Sequence, residues 1–223
     1  MNGRRCEKRR SKVSVGKVLM GLGLALILGA GGLLAYNQWD DRRAGQESED
    51  TALSLIQEIK TQQVEIVEVP VASGEAEGPS EELLKVAELD GAYYMGVLTI
   101  PELERILPVQ SDWSMTKLKR TPCRYSGDLL DGELVICAHN YRNHFGGVAS
   151  LSRGDSVVFT DLEGKQYFYE VREIHTTEAT DIEGMVNSGY DLTLFTCNYG
   201  GKARITVRCV RGEAPQDEES SAA

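Results

Sequence analysis

The chain has 223 residues, of which 41% are hydrophobic and 26% charged, and its formal net charge is −10 at pH 7. That length accommodates one domain of ordinary size with appendages. The acids are concentrated in particular segments, and nothing in the charge distribution suggests a nucleic acid as the partner.

The N-terminal end joins a basic cluster to an uncharged segment. Residues 1–17 carry seven bases against the single acid Glu7, and residues 18–36 carry no charge. About 19 residues at 1.5 Å each span roughly the hydrocarbon core of a bilayer, whereas the apolar region of a signal peptide is shorter. We therefore predict a single uncleaved transmembrane anchor. The positive-inside bias places residues 1–17 in the cytoplasm and everything after Tyr36 outside.

The next segment, residues 37–92, holds 14 acids against 4 bases. This composition is typical of solvated linkers, and we predict a flexible extracytoplasmic stem. Within it, residues 51–61 form at best a short amphipathic helix, and Ser80 reads as the N-cap of a second one, because acids fill the turn that follows. The acidic residues 212–223 are predicted to be a disordered tail.

From residue 93 the pattern changes to short runs rich in β-branched and aromatic residues, bounded by Gly, Pro and Asp. These runs predict strands at residues 96–100, 106–109, 133–139, 156–161, 166–175, 192–197 and 204–210. Strands at this density, with only a helical turn near residues 145–151, favour an antiparallel barrel or sandwich. We assign a mainly β domain to residues 93–211.

Three candidate catalytic residues stand at the ends of these strands. Cys197 ends one strand, Arg204 begins the next, and His139 ends an earlier one. Because side chains alternate along a strand, each of the three lies opposite the wholly apolar set of its own strand. They would therefore share the outer face, with Val135 and Phe195 lining a groove floor. A thiol, an imidazole and a cation are the components of a cysteine acyl-transfer enzyme.

Other interpretations of these residues remain open. Four cysteines would lie on the extracytoplasmic side of the membrane, where two disulfides are possible: Cys123, Cys137, Cys197 and Cys209. His144 is a rival for the histidine role, and Arg208, about 13 Å further along its strand, is a rival for the arginine role. No zinc-ligand spacing is present, and we predict neither a metal nor a cofactor.

Read together, five blocks of the chain resemble the sortase family over about residues 93–211. In order, they are Val97-Leu98-Thr99-Ile100-Pro101, Val135-Ile136-Cys137-Ala138-His139-Asn140, Leu151-Ser152-Arg153-Gly154-Asp155, Leu192-Thr193-Leu194-Phe195-Thr196-Cys197, and Arg204. The resemblance implies a closed eight-stranded β-barrel with short helices. It also implies cysteine transpeptidation at the outer face of a Gram-positive-type membrane.

The same resemblance implies roles for single residues. Cys197 would be the nucleophile, His139 the proton donor and acceptor, and Arg204 the group that stabilises the carbonyl oxygen, with Thr196 and Asn140 in contact with substrate. The implied partners are secreted proteins with a C-terminal sorting signal, together with an amine on a cell-wall precursor or on another protein.

Departures from the family pattern bear on the branch. Only six residues separate Cys197 from Arg204, and no lid motif precedes the first barrel strand. The sequence around residues 110–125 and the Ala-His-Asn block look nearest to the class B-like branch. Two alternative functions are a non-catalytic anchored barrel with disulfide-paired cysteines and a hydrolytic thiol protease.

Overall fold

The computed structural model describes residues 15–70, 83–130 and 132–214. It divides into two compact units, residues 1–40 and residues 41–223. The predictions for residues 1–14 and 215–223, and for Ser80 as an N-cap, concern residues outside the described ranges. The first helix, α1, runs over Val15–Thr61 and contributes to both units.

The N-terminal unit contains the apolar part of α1. Among the described residues, α1 is the one helix long and apolar enough to cross a membrane, with a mean hydropathy of 2.3 over its most apolar window. Its large apolar side chains in this part are exposed, for example Leu26, Ile27 and Leu33. Exposed leucine and isoleucine side chains on a helix of this length are typical of a segment that lies in lipid.

From Asp41 onward, α1 belongs to the second unit, and here the structure differs from the predicted flexible stem. The buried positions are small or apolar and recur every three to four residues along one helix face: Ala44, Ser48, Ala52 and Leu55. Leu55 packs into an apolar cluster with strand residues Tyr94 and Val97. The acidic side chains that suggested a solvated linker, such as Glu49 and Asp50, lie on the exposed face.

In the described part of the chain, ten strands follow α1. Their bounds are β1 Ile66–Pro70, β2 Leu83–Leu89, β3 Ala92–Ile100, β4 Arg105–Gln110, β5 Cys123–Ser126, β6 Leu134–Ala138, β7 Ser156–Asp161, β8 Gln166–Glu178, β9 Leu192–Cys197 and β10 Ala203–Arg211. A one-turn helix, α2, spans Glu183–Val186, and short 3₁₀ turns occupy Pro101–Leu103, Lys117–Lys119 and Val148–Ser150.

Eight of these strands close into a barrel. The order is β3-β4-β5-β6-β9-β10-β8-β7, and the pairing of β7 with β3 completes the circle. All pairings are antiparallel except β4 with β5 and β6 with β9. The predicted closed eight-stranded barrel is thereby confirmed. Strand β5 was missed because it has only four residues and a single ladder pair with β4.

The hairpin of β1 and β2 extends the sheet beyond β3. Strand β2 occupies the segment where the sequence predicted a second stem helix. The acids before Leu83 resemble a helix N-terminus, but Ala87 pairs with Tyr94 of β3 and Val86 pairs with Val67 of β1, and both Val86 and Ala87 are buried. Tertiary pairing therefore overrides a local helix signal.

The barrel core confirms the predicted parity of β6, β9 and β10. The residues that face the core are Leu134, Ile136, Ala138, Leu192, Leu194, Val207 and Cys209, with Ile205 packed partly against them. Because side chains alternate along a strand, the opposite, outer face is the one that carries Cys197, Arg204 and the position that follows Ala138. The outer face of these three adjacent strands therefore carries the candidate site.

Candidate active site

Cys197 is the last residue of β9 and lies between the two other candidates. In the antiparallel ladder it pairs directly with Arg204, the second residue of β10. In the parallel ladder on its other side, Thr196 pairs with Ala138, so His139 follows β6 at the level of the thiol. Neighbouring strands lie about 4.8 Å apart. The fold thus brings together three residues from distant parts of the chain.

All three candidate residues, His139, Cys197 and Arg204, are partly exposed, although the Nε2 atom of His139 is covered, and the Cys197 thiol is not in a disulfide. Cys197 is a free cysteine, as are Cys123, Cys137 and Cys209, which are buried. Burial raises the pKa of Cys123 and of Cys209 to about 12, and it raises the pKa of Cys137 well above its ordinary value. These three thiols stay protonated and unreactive at neutral pH.

The turn between β9 and β10 holds the arginine. Asn198 closes this turn, because its side-chain oxygen accepts a hydrogen bond from the amide of Ala203 at 3.1 Å and its own amide donates to the Ala203 carbonyl at 3.0 Å. The Nη1 atom of Arg204 donates to the Gly201 carbonyl at 3.2 Å. Gly200 and Gly201 have positive φ angles of 110° and 71°, which favour glycine. The role of Asn198 was not predicted from the sequence.

His139 stands at the start of a compact turn. Its carbonyl accepts the amide of Phe145 at 3.3 Å, and its ring lies 5.0 Å from the ring of Tyr141. His144, the rival, is fully buried behind Tyr141, with ring centroids 5.4 Å apart. A histidine with no exposed surface cannot reach a substrate, and the structure therefore favours His139.

The pKa of His144 is lowered to about 4, mainly by burial and to a smaller extent by the nearby His139 and Arg105, while the backbone at Ala44 and Arg120 acts in the opposite direction. A histidine in the unfolded chain titrates near 6.5. Between about pH 6.5 and about pH 4 the unfolded chain therefore binds a proton at residue 144 that the folded chain does not bind. We expect folding stability to fall by about 3 kcal/mol as pH drops from about 6.5 to about 4, and to lose nothing more to this residue below that.

Urea unfolding of the full chain in detergent micelles at pH 7.5, 6 and 4.5 measures this loss. The His144→Gln variant lacks the titrating group. The free energy of unfolding of this variant should therefore not show the loss that His144 causes in the wild type as the pH falls over that range. Identical pH dependence in the two proteins would contradict the assignment.

Thr196 and Asn140 were predicted to contact substrate. The Thr196 side chain is buried on the inner face, where its hydroxyl donates to the Ala138 carbonyl at 2.8 Å and ties β9 to β6 beside His139. In this conformation only its backbone is left for a substrate. Asn140 directly follows His139 and is partly exposed. Substrate contact by both residues stays a prediction.

Arg208, the rival of Arg204, is buried and engaged elsewhere. Its guanidinium donates to the Met185 carbonyl at 3.2 Å, to the Thr193 hydroxyl at 2.7 Å and to the Gly184 carbonyl at 2.5 Å. These bonds hold α2 against the outer face of β9 and β10. Burial lowers the pKa of Arg208 from its ordinary value. Its position indicates a structural role rather than a catalytic one.

Replacing Arg208 by alanine should therefore destabilise the fold. Three acceptors would lose a charged donor inside the protein, and we expect a loss of roughly 2–4 kcal/mol in urea unfolding. Arg172→Ala is the matched control, because Arg172 forms a half-exposed pair with Glu170 at 3.1 Å and should cost at most about 1 kcal/mol. Equal losses in the two variants would contradict the structural role.

The outer face beside the thiol, where the sequence predicts a groove floor, carries aromatic side chains. Phe195 lies on the outer face of β9, two residues before Cys197. Its ring packs in a T-shaped arrangement with the ring of Tyr125, with the ring centroids 5.3 Å apart. The ring of Tyr125 in turn packs against the ring of Trp113, with the ring centroids 5.5 Å apart. The sequence analysis placed Val135 and Phe195 on this floor, but Val135 is fully covered. It missed both Tyr125 and Trp113, because they come from β5 and from the loop before it.

Within the described ranges, no group of three or more His, Cys, Asp or Glu side chains is arranged to hold a metal ion. The chemistry that the arrangement offers is that of a partly exposed thiol on β9 with a histidine and an arginine at the adjacent positions of the neighbouring strands. That set can form and break an acyl–sulfur bond.

Comparison with known proteins supports this interpretation. The Sortase domain family matches residues 98–211. A search of curated proteins found no match. Among solved structures, sortase C1 of Streptococcus suis is 27% identical, covers 56% of this chain and 76% of its own length, and superposes with a TM-score of 0.50.

Two further structures are similar. Sortase C1 of Streptococcus agalactiae is 24% identical over 57% of this chain and 72% of its own, with a TM-score of 0.50. A Clostridium perfringens sortase C solved with the C-terminal cell wall sorting motif is 25% identical over 54% and 71%, with a TM-score of 0.48. These neighbours are named sortase C, and the class B-like branch stays a prediction.

Proposed function

The chain belongs to the sortase family, and from this premise we propose that it is a membrane-anchored transpeptidase that cleaves C-terminal sorting signals and joins the carried protein to an amine. The observation that carries the proposal is the ladder adjacency of Cys197 with Arg204 on one side and with the residue after Ala138, His139, on the other. A free, partly exposed thiol at that point supports catalysis over the binding module with paired cysteines.

In the first half-reaction the Cys197 thiolate attacks a backbone carbonyl of the sorting signal. The carbonyl carbon forms a bond to sulfur, its bond to nitrogen breaks, and His139 donates a proton to the departing amine. The product is a thioester between Cys197 and the N-terminal part of the substrate. The cleaved C-terminal peptide leaves as a free amine.

In the second half-reaction an acceptor amine attacks the thioester. His139 takes the proton from the attacking nitrogen, a new amide forms, and the carbon–sulfur bond breaks to restore the thiolate. Arg204 stabilises the oxyanion in both halves, because its guanidinium extends from the ladder position beside the thiol. Its bond to the Gly201 carbonyl holds the side chain at the turn next to the groove.

We place the catalytic domain outside the membrane. The apolar part of α1 is long enough to serve as the anchor, and the basic cluster of residues 1–17 favours a cytoplasmic N-terminus. The substrates are then exported proteins held near the same membrane surface. The acceptor is an amine of a cell-wall precursor or of another protein.

The test is a peptide library of sorting signals incubated with the full chain in detergent micelles, with and without an added amine. We expect intact-mass spectrometry to show a thioester adduct on Cys197, and an amide product when the amine is present. Hydrolysis products alone, with the amine ignored, would favour the thiol protease instead. No adduct with any peptide of the library would contradict the proposal.

A further inference from the structure

The part of α1 that was expected to be a flexible stem packs against the turn that directly follows His139. The Asp41 carboxylate accepts a hydrogen bond from the backbone amide of Arg142 at 2.8 Å. One helical turn further along, the Ala44 backbone lies near the buried His144. The helix therefore binds this turn through the Asp41–Arg142 hydrogen bond and approaches it again at Ala44.

The closest approach is at Gly45. A Cβ atom built on Gly45 would lie 2.1 Å from Nδ2 and 2.6 Å from Cβ of Asn143. Real Cβ atoms do not come so close to another heavy atom, so any residue larger than glycine would push the helix and the turn apart. The helix backbone thus rests on the Asn143 side chain.

The same turn is bonded to the catalytic histidine on its other side. The amides of His144 and Gly146 donate to the Tyr141 carbonyl at 3.0 and 2.9 Å, and the Phe145 amide donates to the His139 carbonyl. The Phe145 side chain is fully buried in the barrel core. The ring of Tyr141 lies between the rings of His139 and His144.

A second element supports the turn from the barrel. Arg105, the first residue of β4, donates through Nη2 to the Arg142 carbonyl at 3.4 Å and to Oδ1 of Asn143 at 3.5 Å. Both distances are long for hydrogen bonds, so this support is weaker than the bond from Asp41. The helix supplies the shortest polar contact among these supports.

We propose that residues 41–55 of α1 position His139 for proton transfer by clamping the turn of residues 140–145 against the barrel. The inference rests on the proposed function, since it concerns the histidine of that reaction. Proton transfer needs the donor and acceptor atoms within hydrogen-bond reach, and a shift of 1 Å in a positioned group costs up to about 10²-fold in rate. Asp41, Gly45 and Asn143 are positioning residues that touch no substrate.

The test is a rescue experiment on the full chain in detergent micelles, with kcat and KM for a sorting-signal peptide and an amine. Gly45→Ala should lower kcat about tenfold or more, with KM changed by less than about threefold. Alanine is a better helix former than glycine, so a weakened helix cannot explain the loss. Adding Asn143→Gly removes all three side-chain atoms that crowd the new methyl group, and should restore kcat to within about threefold of wild type.

Two further variants complete the set. Gln46→Ala introduces the same residue at the neighbouring, exposed position and should leave kcat unchanged. Asp41→Asn keeps an oxygen acceptor for the Arg142 amide, whereas Asp41→Ala removes it. We expect the alanine variant to lose several-fold more kcat than the asparagine variant.

The outcomes separate this inference from the proposed function. Suppose that the wild-type chain is active. If the kcat of Gly45→Ala then equals that of the wild type, or if Asn143→Gly does not restore a kcat that Gly45→Ala has lowered, the positioning role is overturned and the proposed function stands. If Gly45→Ala fails to fold, equal kcat values for Asp41→Ala and Asp41→Asn overturn it. A wild-type chain that forms no thioester overturns the proposed function, and the positioning role with it.

Discussion

Replacing Cys197 by alanine is expected to abolish both the thioester adduct and the amide product. The adduct bond is made to its sulfur, and the other three described thiols are buried and keep raised pKa values. We expect turnover to fall by roughly 10³-fold or more, to the level left by binding and by Arg204 alone. Intact-mass spectrometry and product chromatography measure the two losses.

The matched control is Cys137→Ala. Cys137 lies on the neighbouring strand β6, opposite Phe195 in the ladder. Its replacement removes a sulfur atom from the same face of the sheet, two residues along the strand from the level of Cys197. Because the thiol of Cys137 is protonated and covered, the adduct and kcat should stay within a few-fold of wild type. A normal product yield from Cys197→Ala, or an adduct that moves to another cysteine with full turnover, would refute the mechanism.

Replacing Arg204 by alanine should cost about 10²–10³-fold in kcat, the usual effect of removing one oxyanion donor. Arg204 pairs with Cys197 in the ladder, and its guanidinium is held at the turn by the Gly201 carbonyl. Arg204→Lys should recover little of this loss, because an ammonium group lacks the planar fork of donors. Steady-state kinetics with one peptide and one amine measures these ratios.

Lys202→Ala is the control for charge at this site. Lys202 is an exposed cation in the same turn, two residues before Arg204, and it should change kcat by less than about twofold at moderate salt. The thioester should still form slowly in Arg204→Ala, since the nucleophile and His139 are intact. Equal kcat values for Arg204→Ala and Lys202→Ala would show that the guanidinium has no specific role.

Most of the barrel was predictable, because its longer strands carry a clear signal. Strands such as β7 and β8 alternate buried and more exposed residues over their first positions, and turn residues bound them. Strand β5, with four residues, is too short for alternation to identify it. Strand β2 carries a helix-like N-terminal pattern, and only its pairing with β3 makes it a strand.

The candidate site was predictable for the residues that form motifs. Cys197, His139 and Arg204 each stand at the end or start of a strongly patterned strand, and their parity follows from that strand alone. Asn198, Tyr125 and Trp113 were not predictable, because their roles depend on which turn closes and which strand lies beside β6. Nor did composition reveal that Arg208 is buried and bonded to the α2 segment.

By itself, the sequence determined the apolar segment that fits a bilayer, the mainly β domain, and the identity of the three candidate catalytic residues. Those features depend on local periodicity and on contiguous motifs. Only the tertiary structure decided which of the histidines and arginines are exposed, and that residues 41–61 of the predicted stem belong to a helix that packs against the turn after His139. Burial and the spacing of Gly45 from Asn143 are properties of segments about 100 residues apart, and no local pattern encodes them.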